Sequence, residues 1–229
     1  MGQRRENESA GYPDEKVGEL GRAYAAALLA GDEIAAEITI REAMEARLST
    51  AVIDDEIIAP ALWLVGELWE RGEITVADEH LATEISLRVL ALQREAGRVA
   101  RGRAAHSVML AAPAAELHVV ALRMAGNLLR DAGYHVVMLG AAVPPEALRA
   151  AAGRHRPDVV CLSSTMRGGG DQVLIAMYEV QDEWPAANFV VGGRGLTSRV
   201  QARPGVEVCR RVSGVVEAVD AMVKRAGLN

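Results

Sequence analysis

The chain has 229 residues, of which 50% are hydrophobic and 24% charged, a composition typical of a globular protein with one large domain or two small ones. The formal net charge of −6 argues against broad electrostatic binding to nucleic acid or to an anionic membrane. No apolar run is long enough for a membrane-spanning helix or a signal peptide, and Cys161 and Cys209 fit no metal-binding spacing. We therefore expect a cytoplasmic protein with no membrane partner.

The N-terminal half has a helical period throughout. Residues 1–14 are mostly polar and predict a disordered tail. From residue 15 to residue 101 apolar side chains recur at helical spacing, as Leu20, Tyr24 and Leu28 do in the first segment. The third segment is apolar on several sides around a proline. Four such segments with short connections predict a four-helix bundle over residues 15–101.

Polar residues mark where two of these helices begin. Asp32 precedes a segment in which Ile34 and Ile38 continue the helical period, so Asp32 is the expected N-cap. Thr75 and Asp78 stand three positions apart before the fourth segment, which is the spacing of an N-terminal capping box.

The C-terminal half, residues 102–229, alternates short strands with helices. This alternation predicts a doubly wound parallel sheet of the Rossmann-like, flavodoxin-like α/β class. The predicted strands are His106–Ala111, His135–Leu139, Asp158–Leu162, Asn188–Val191 and Val206–Cys209. The predicted helices run over His118–Ala132, over Pro145–Arg154, from the glycines at 168–170 to Glu183, and from Val215 onward.

Unusual residues follow the first, third and fourth strands, whose carboxyl ends form the ligand-binding edge of such a sheet. The first of these loops carries Glu116 and His118 where a nucleotide-binding fold would carry glycines. The next loop reads Ser163-Ser164-Thr165 and leads to glycines from Gly168 onward, and the last holds Gly192-Gly193. These loops predict a site for a large, flat, partly polar ligand.

A neutral imidazole can bind a metal through one nitrogen while the other donates to a carboxylate, which orients the ring. Glu116 and His118 fit that chemistry. Alone, the pair is more typical of an acidic residue at a helix N-terminus beside a half-buried turn histidine, so by itself it does not establish a metal site.

Together the three loops resemble the cobalamin-binding domains of the methionine-synthase type. That family carries Asp-x-His-x-x-Gly, then a Ser-x-Leu or Ser-x-Thr motif, then Gly-Gly. This chain has Glu116-x-His118-x-x-Ala121, then 41 residues to Ser163-Ser164-Thr165, then 26 residues to Gly192-Gly193, which matches the family's separations. It departs from the family in having Glu for Asp, and Ala121 for Gly.

The resemblance implies a role for each of these residues. His118 would be the lower axial ligand of cobalt, in place of the cofactor's own dimethylbenzimidazole, and Glu116 would support it. The displaced nucleotide tail would enter the sheet beside the serine-threonine loop (Ser163, Ser164, Thr165), the glycines Gly168, Gly192 and Gly193, and Ala121. The helical half would then be the cap of the cofactor, which would lie between cap and sheet.

A second resemblance concerns the upper face of the cofactor. Cobalamin photoreceptors of the light-dependent repressor type carry a Trp followed by Glu-His at the spacing of Trp69, Glu79 and His80, and these residues pack over a 5′-deoxyadenosyl group. Where the DNA-binding members have a cobalt-binding histidine after the Trp, this chain has Glu70. This chain therefore lacks the histidine that gives those members a photoproduct with two histidine ligands.

These resemblances predict a light-sensing adenosylcobalamin module rather than an enzyme. About 15 residues precede the first helix, so we expect no DNA-binding domain in this chain and no direct contact with nucleic acid. The output would be formation of a homo-oligomer, a dimer or tetramer, or binding of another protein.

Among the free-standing relatives, photocobilins also hold a bilin such as biliverdin, and here a bilin would be bound non-covalently. The alternatives are a corrinoid carrier subunit of a methyltransferase system and a cobalamin storage or delivery protein. The carrier proteins usually read His-Asp-Ile-Gly where this chain reads His118-Val-Val-Ala.

Overall fold

Helices form the N-terminal part of the chain, and a parallel sheet covered by helices forms the C-terminal part. The structure is a computed structural model, and it describes residues 14–96 and 105–227. Two compact units divide between Ile85 and Ser86, inside one helix. Residues 1–13 of the predicted tail lie outside the described residues. So does the domain boundary expected at residues 101/102, which stays a prediction.

The four predicted helical segments are present, and the N-terminal unit contains the first three of them and the start of the fourth. The helices are α1 (Asp14–Ala30), α2 (Glu33–Glu45), α3 (Thr50–Val52), which continues through a π-helical turn (Ile53–Ile58) into α4 (Ala59–Glu70), and α5 (Val76–Ala96). Helix α1 packs against α2 and α4. The predicted stripe of α1 is buried, with Leu20, Tyr24 and Leu28 at most 2% exposed. The helical half of the predicted fold is therefore confirmed.

Both predicted helix starts are confirmed. The Asp32 carboxylate accepts a hydrogen bond from the amide of Ala35, with 2.9 Å between N and Oδ1. The Thr75 amide donates to Asp78 Oδ2 at 2.8 Å, and the Asp78 amide donates to Thr75 Oγ1 at 3.3 Å. This reciprocal pair satisfies two amide groups that the helix itself leaves unbonded.

The prediction that Ile34 and Ile38 form the buried apolar stripe of α2 is wrong. Ile34 and Ile38 are 71% and 50% exposed. The buried face is formed by Ala36, Thr39, Ile40 and Ala43 instead. Apart from Ile40 the side chains on that face are small, and apolar periodicity gives most weight to the larger isoleucines.

The π-helical turn before α4 was not predicted. The Ala59 amide donates to the carbonyl of Asp54, five residues earlier. Pro60 follows and has no amide hydrogen to continue an α-helical ladder. The altered turn buries Ile57 and Ile58 completely. The expectation that this segment is apolar on several sides around a proline agrees with that burial.

The C-terminal unit is a five-stranded sheet in the order β2-β1-β3-β4-β5, with every neighbouring pair parallel. The predicted flavodoxin-like fold class is confirmed. The strands are β1 (Ser107–Pro113), β2 (His135–Val143), β3 (Val159–Ser163), β4 (Asn188–Gly192) and β5 (Val206–Cys209). The helices are α6 (Val120–Asp131), α7 (Pro145–His155), α8 (Gly170–Glu183), α9 (Ser198–Gln201) and α10 (Val215–Arg225).

Apolar side chains from both faces of the sheet are buried under helices. One core joins the sheet to α7 and α8, around Leu148, Val173 and Phe189. The other joins it to α6 and α10, around Leu129 and Val219. Within the described ranges, no helix combines the length and the apolar character that crossing a membrane requires.

The chain leaves β1 towards β2 on one side and later enters β3 on the other side of β1. Parallel sheets bind ligands beyond the carboxyl ends of strands at such a switch point. The loops after β1 and β3 therefore meet there, with the loop after β4 beside them.

Candidate functional site

Glu116 lies where the loops after β1 and β3 meet. Ala115 before it adopts a left-handed conformation with φ of +67°, which is rare for a residue with a side chain. The Glu116 amide donates to the carbonyl of Pro113 at 3.0 Å, and its carbonyl accepts from the Ala142 amide at 2.9 Å. The side chain is 5% exposed. The turn thus directs a carboxylate into the protein.

Both oxygens of this carboxylate accept hydrogen bonds. Oε1 accepts from the His118 amide at 3.0 Å and lies 2.6 Å from Nδ1 of the His118 ring. Oε2 accepts from the amides of Thr165 at 2.6 Å and Met166 at 3.1 Å. Glu116 therefore connects the loop after β1 to the loop after β3.

These contacts determine the charge of Glu116. Burial by itself raises the pKa of the carboxyl group. Hydrogen bonds from the His118 side chain and from the amides of His118, Thr165 and Met166 outweigh burial and lower the pKa to about 2. Glu116 is therefore ionised at neutral pH, and its Oε1 can only accept.

The ionised carboxylate determines the tautomer of His118. Nδ1 must carry the hydrogen that points at Oε1, so the lone pair of the neutral ring is on Nε2. The His118 side chain is 39% exposed, which makes the ring accessible to a ligand. Across the two described ranges, no three His, Cys, Asp or Glu side chains form a metal-binding group. The outward lone pair of the neutral His118 ring could give a metal one ligand.

The serine-threonine loop and the Gly192-Gly193 turn are held together by backbone hydrogen bonds. Ser163 pairs with Gly192 in the sheet, and the Ser164 amide donates to the Gly192 carbonyl at 3.0 Å. Gly193 has φ of +105°, and a Cβ added there would lie 2.0 Å from the Ser164 carbonyl oxygen. Only glycine fits at this position.

A crevice of about 220 Å³ lies against the same loops. Its lining is Pro113, Ala114, Ala115, Glu116, Ser164, Met166, Arg167, Gly168, Gly169 and Gln172. Ser164 is 1% exposed, and its Oγ has no hydrogen-bond partner among the residues that the structure describes. A buried hydroxyl without a partner is costly, so the crevice fits a ligand with a polar atom. Its size suits one bicyclic ring better than a whole cofactor.

Two further residues expected to bind the nucleotide tail are near these loops in sequence. Gly168 lines the crevice, with φ of +86°. Ala121 is exposed in the first turn of α6, two residues after the loop that bears His118. Their contacts with a cofactor stay predictions.

The residues expected on the upper face lie in the N-terminal unit, on either side of the turn between α4 and α5. Trp69 is half-buried near the end of α4, and Glu70 beside it is exposed. Glu79 Oε2 lies 2.6 Å from Nδ1 of His80, and its Oε1 accepts from the Thr83 hydroxyl at 3.1 Å. Glu79 and His80 thus form a second carboxylate–imidazole pair.

Several groups that form the candidate site were not predicted from the sequence. The Thr165 and Met166 amides hold Glu116, and no side-chain motif reports on a backbone amide. Gly169 and Gly195 also matter, because a Cβ at either would lie 2.1–2.2 Å from atoms of Ser164 or Met166. The glycines at 168–170 and the Gly-Gly-Arg-Gly sequence at 192–195 are the sequence signal for them.

Comparison with known proteins agrees with this geometry. A family model described as a B12 binding domain matches residues 106–219, and a second model with the same description matches residues 20–92. Two relatives are HTH-type transcriptional repressors of Myxococcus xanthus. CarH is 35% identical over 161 residues, covering 69% of this chain and 50% of CarH. CarA is 30% identical over 141 residues, covering 61% of this chain and 48% of CarA. The chain thus spans about half the length of these relatives.

A solved structure shares the fold. The monomethylamine corrinoid protein of Methanosarcina barkeri superposes with a TM-score of 0.72, covering 91% of this chain and 99% of that protein. The two sequences are 14% identical, so this similarity concerns the fold alone.

Replacing Glu116 with Gln should destabilise the chain at neutral pH. The carboxylate has a folded-state pKa of about 2, below the unfolded value of 4.5. Its stabilisation is therefore complete above pH 4.5 and is lost as the pH falls towards 2. We expect Glu116→Gln to lower the free energy of unfolding by about 2–3 kcal/mol at pH 7 and by much less near pH 2.5.

Urea unfolding followed by circular dichroism at both pH values measures this difference. Glu146→Gln, which removes an exposed carboxylate in the first turn of α7, is the control for charge. Equal losses for Glu116→Gln at the two pH values would contradict the assigned role of the carboxylate.

Gly193→Ala tests the close approach to Ser164 separately from backbone strain. Gly133 also has positive φ, +93°, but a Cβ there would meet nothing within 4 Å. Both substitutions incur the left-handed penalty of about 1–2 kcal/mol. Only Gly193→Ala pushes on the Ser164 carbonyl, so it should lower the free energy of unfolding by at least about 1 kcal/mol more than Gly133→Ala. Equal losses of unfolding free energy in the two variants would show that the Gly193 turn moves away from Ser164 at no cost, which would contradict the close approach.

Proposed function

The chain belongs to the cobalamin-binding proteins with B12-binding domains, and from that premise we propose that it is a light sensor that binds adenosylcobalamin. The observation that carries the cobalamin-binding part of the proposal is the Glu116–His118 pair at the switch point of the sheet. The similarity to the transcriptional repressor CarH over 69% of the chain supports a regulatory role, and the spacing of Trp69, Glu79 and His80 supports the response to light.

His118 would be the axial ligand of cobalt through Nε2. A corrin would bring ligands of its own, so the protein would need to add only the His118 ring. A carboxylate on Nδ1 keeps the ring in one tautomer and increases the basicity of Nε2. Glu116, ionised and 2.6 Å from Nδ1, is placed for both effects.

The crevice beside Ser164 would hold the base of the nucleotide tail, displaced from cobalt by His118. The partnerless Ser164 hydroxyl would bond to a nitrogen of that base. The tail would also find room beside three glycines, Gly168, Gly192 and Gly193. Ser163, Thr165 and Ala121 would lie around the opening of the crevice.

Trp69, Glu79 and His80 would act on the upper ligand. Adenosylcobalamin supplies, when bound, a cobalt–carbon bond that light breaks. Trp69 would shield that bond from water, and Glu79 would accept hydrogen bonds from the ribose or adenine of the upper ligand. The Thr83 hydroxyl and the His80 ring hold the Glu79 carboxylate in one orientation. Loss of the adenosyl group would remove these contacts and change the packing of the helices.

The output would be self-association, as a dimer or tetramer, or binding to another protein. The net charge of −6 supports this over direct contact with DNA. A bilin held non-covalently would add a second chromophore, which absorption spectra would report directly.

A corrinoid carrier for methyl transfer is the second candidate. Its support is the fold that this chain shares with the monomethylamine corrinoid protein. That fold is compatible with a carrier and with a sensor. A carrier would exchange a methyl group with a partner enzyme. A storage or delivery protein is a third candidate, and it has no need of Trp69, Glu79 and His80.

Light should change both the spectrum and the assembly of the loaded protein. We expect dark-reconstituted adenosylcobalamin protein to lose the alkylcobalamin spectrum under green light and to change its elution volume in size-exclusion chromatography. An unchanged spectrum would contradict the sensor. Methylcobalamin bound without a light response, and demethylated with a partner enzyme, would establish the carrier.

In the same experiment Trp69→Ala should bind adenosylcobalamin with nearly unchanged affinity but alter the photolysis rate or the change in assembly. Trp63→Ala is the matched control, because Trp63 is on the same helix and is 53% exposed. Identical behaviour of both variants and the wild type would remove Trp69 from the proposal.

Loss of the His118 ring should change how cobalamin is bound. We expect His118→Ala to weaken binding of cobalamin at least about tenfold, or to bind it without the spectrum of a histidine ligand. His135→Ala, which removes an exposed ring at the start of β2, should leave both unchanged. Titration with hydroxocobalamin followed by absorption measures both properties. Unchanged affinity and spectrum in His118→Ala would show that the axial assignment is wrong.

A further inference from the structure

We infer that Glu116 couples the His118 ring to the crevice beside Ser164, so that the protein selects corrinoids with a nucleotide tail. A corrinoid whose tail fills the crevice would then be ligated by His118 more strongly than a corrinoid without one. The inference rests on the proposed ligation of cobalt by His118 and does not depend on the response to light.

One carboxylate orients both parts of the site. Oε1 holds His118 through the backbone amide and the ring Nδ1, while Oε2 holds the amides of Thr165 and Met166. The two oxygens belong to one planar group, so a rotation that improves the bonds of one oxygen changes those of the other. The position of the loop after β3 therefore affects the orientation of the imidazole.

The same carboxylate is part of the crevice wall. Glu116, Ser164 and Met166 all line the crevice, and the Thr165 amide that Glu116 holds lies between the last two in sequence. A ring that fills the crevice and bonds to the Ser164 hydroxyl would hold this loop in place. It would thereby favour the orientation of Glu116 that directs Nε2 of His118 outwards.

The loop has little freedom on its other side. The Ser164 carbonyl accepts from the Gly195 amide at 2.9 Å, and the Ser164 amide donates to Gly192 at 3.0 Å. A Cβ at Gly193 would clash with this carbonyl. The strand on this side is fixed, so a ligand in the crevice acts on the Glu116 side.

The departure from the family motif favours this coupling. Glutamate is one methylene longer than the aspartate of the motif, and Oε2 reaches two amides across the switch point. The free energy of cobalt binding at His118 is then linked to the free energy of tail binding in the crevice. Each of these two subsites changes the affinity of the other by the same factor. Coupling of this kind is typically about 5- to 150-fold in affinity.

Cobinamide, which has the corrin ring but no nucleotide, is the probe. The test compares the dissociation constants of aquocobalamin and diaquocobinamide for the full chain and for Glu116→Gln. The tail preference is the dissociation constant of diaquocobinamide divided by that of aquocobalamin. The cost of releasing the tail base from cobalt in solution is the same for both proteins, so it cancels in the comparison of their ratios.

We expect the tail preference of Glu116→Gln to be at least about 5-fold smaller than that of the wild type. Glu146→Gln, with the same charge change at an exposed position, should keep the wild-type ratio. A ratio in Glu116→Gln within about twofold of the wild type would overturn the coupling.

A second measurement needs only the wild-type chain, in case Glu116→Gln does not fold. Protein labelled with 15N-histidine is loaded with chemically reduced cob(II)alamin or cob(II)inamide, and electron paramagnetic resonance reports the axial nitrogen. A bound 15N-histidine gives a doublet splitting in place of the triplet from 14N. The coupling predicts a strong histidine doublet with cob(II)alamin and a weak one with cob(II)inamide.

The outcomes separate the two proposals. Equal doublets with both corrinoids would overturn the coupling and leave the ligation by His118 intact. No doublet with either corrinoid would overturn the ligation, and the coupling with it.

Discussion

The Glu116 carboxylate accepts hydrogen bonds from the loops after β1 and β3, the two neighbouring parallel strands between which the strand order reverses. These bonds keep it ionised, although it is 5% exposed and burial alone would raise its pKa. An ionised acceptor at this point determines which nitrogen of His118 carries a hydrogen. It also fixes the loop that forms one wall of the crevice. The chemistry of the site follows from these two effects.

The proposed function assigns different tasks to the two units. The α/β unit holds the cofactor, through a braced imidazole and a crevice whose buried hydroxyl has no partner among the described residues. The helical unit presents Trp69 and the Glu79–His80 pair, which would make the protein respond to the upper ligand. Light sensing differs from methyl transfer in this second task. The fold alone therefore does not distinguish a sensor from a carrier.

Most of the fold could be predicted from the sequence, because local patterns report it well. Strand β5 has its predicted bounds, β4 extends one residue beyond its predicted end, and β3 is shifted by one residue at both ends. The π-helical turn was missed because its hydrogen-bond pattern has no simple apolar signature. The buried face of α2 was missed because alanine and threonine form most of it beside Ile40, whereas the larger Ile34 and Ile38 are exposed.

The candidate site could be predicted only in part. Glu116 and His118 carry side chains that a motif can contain, and the structure brings them within hydrogen-bonding distance. The amides of Thr165 and Met166 belong to the backbone, so no residue type identifies them as partners of Glu116. Which oxygen faces which loop depends on the left-handed turn at Ala115, where no glycine marks the conformation.

A crystal structure of the chain with cobalamin, with the metal located by anomalous scattering at the cobalt edge, tests the central claim most directly. We predict cobalt bonded to Nε2 of His118, Nδ1 still on Glu116, and the tail base in the crevice against Ser164. A cobalt that keeps its own dimethylbenzimidazole, or a tail outside the crevice, would contradict this account.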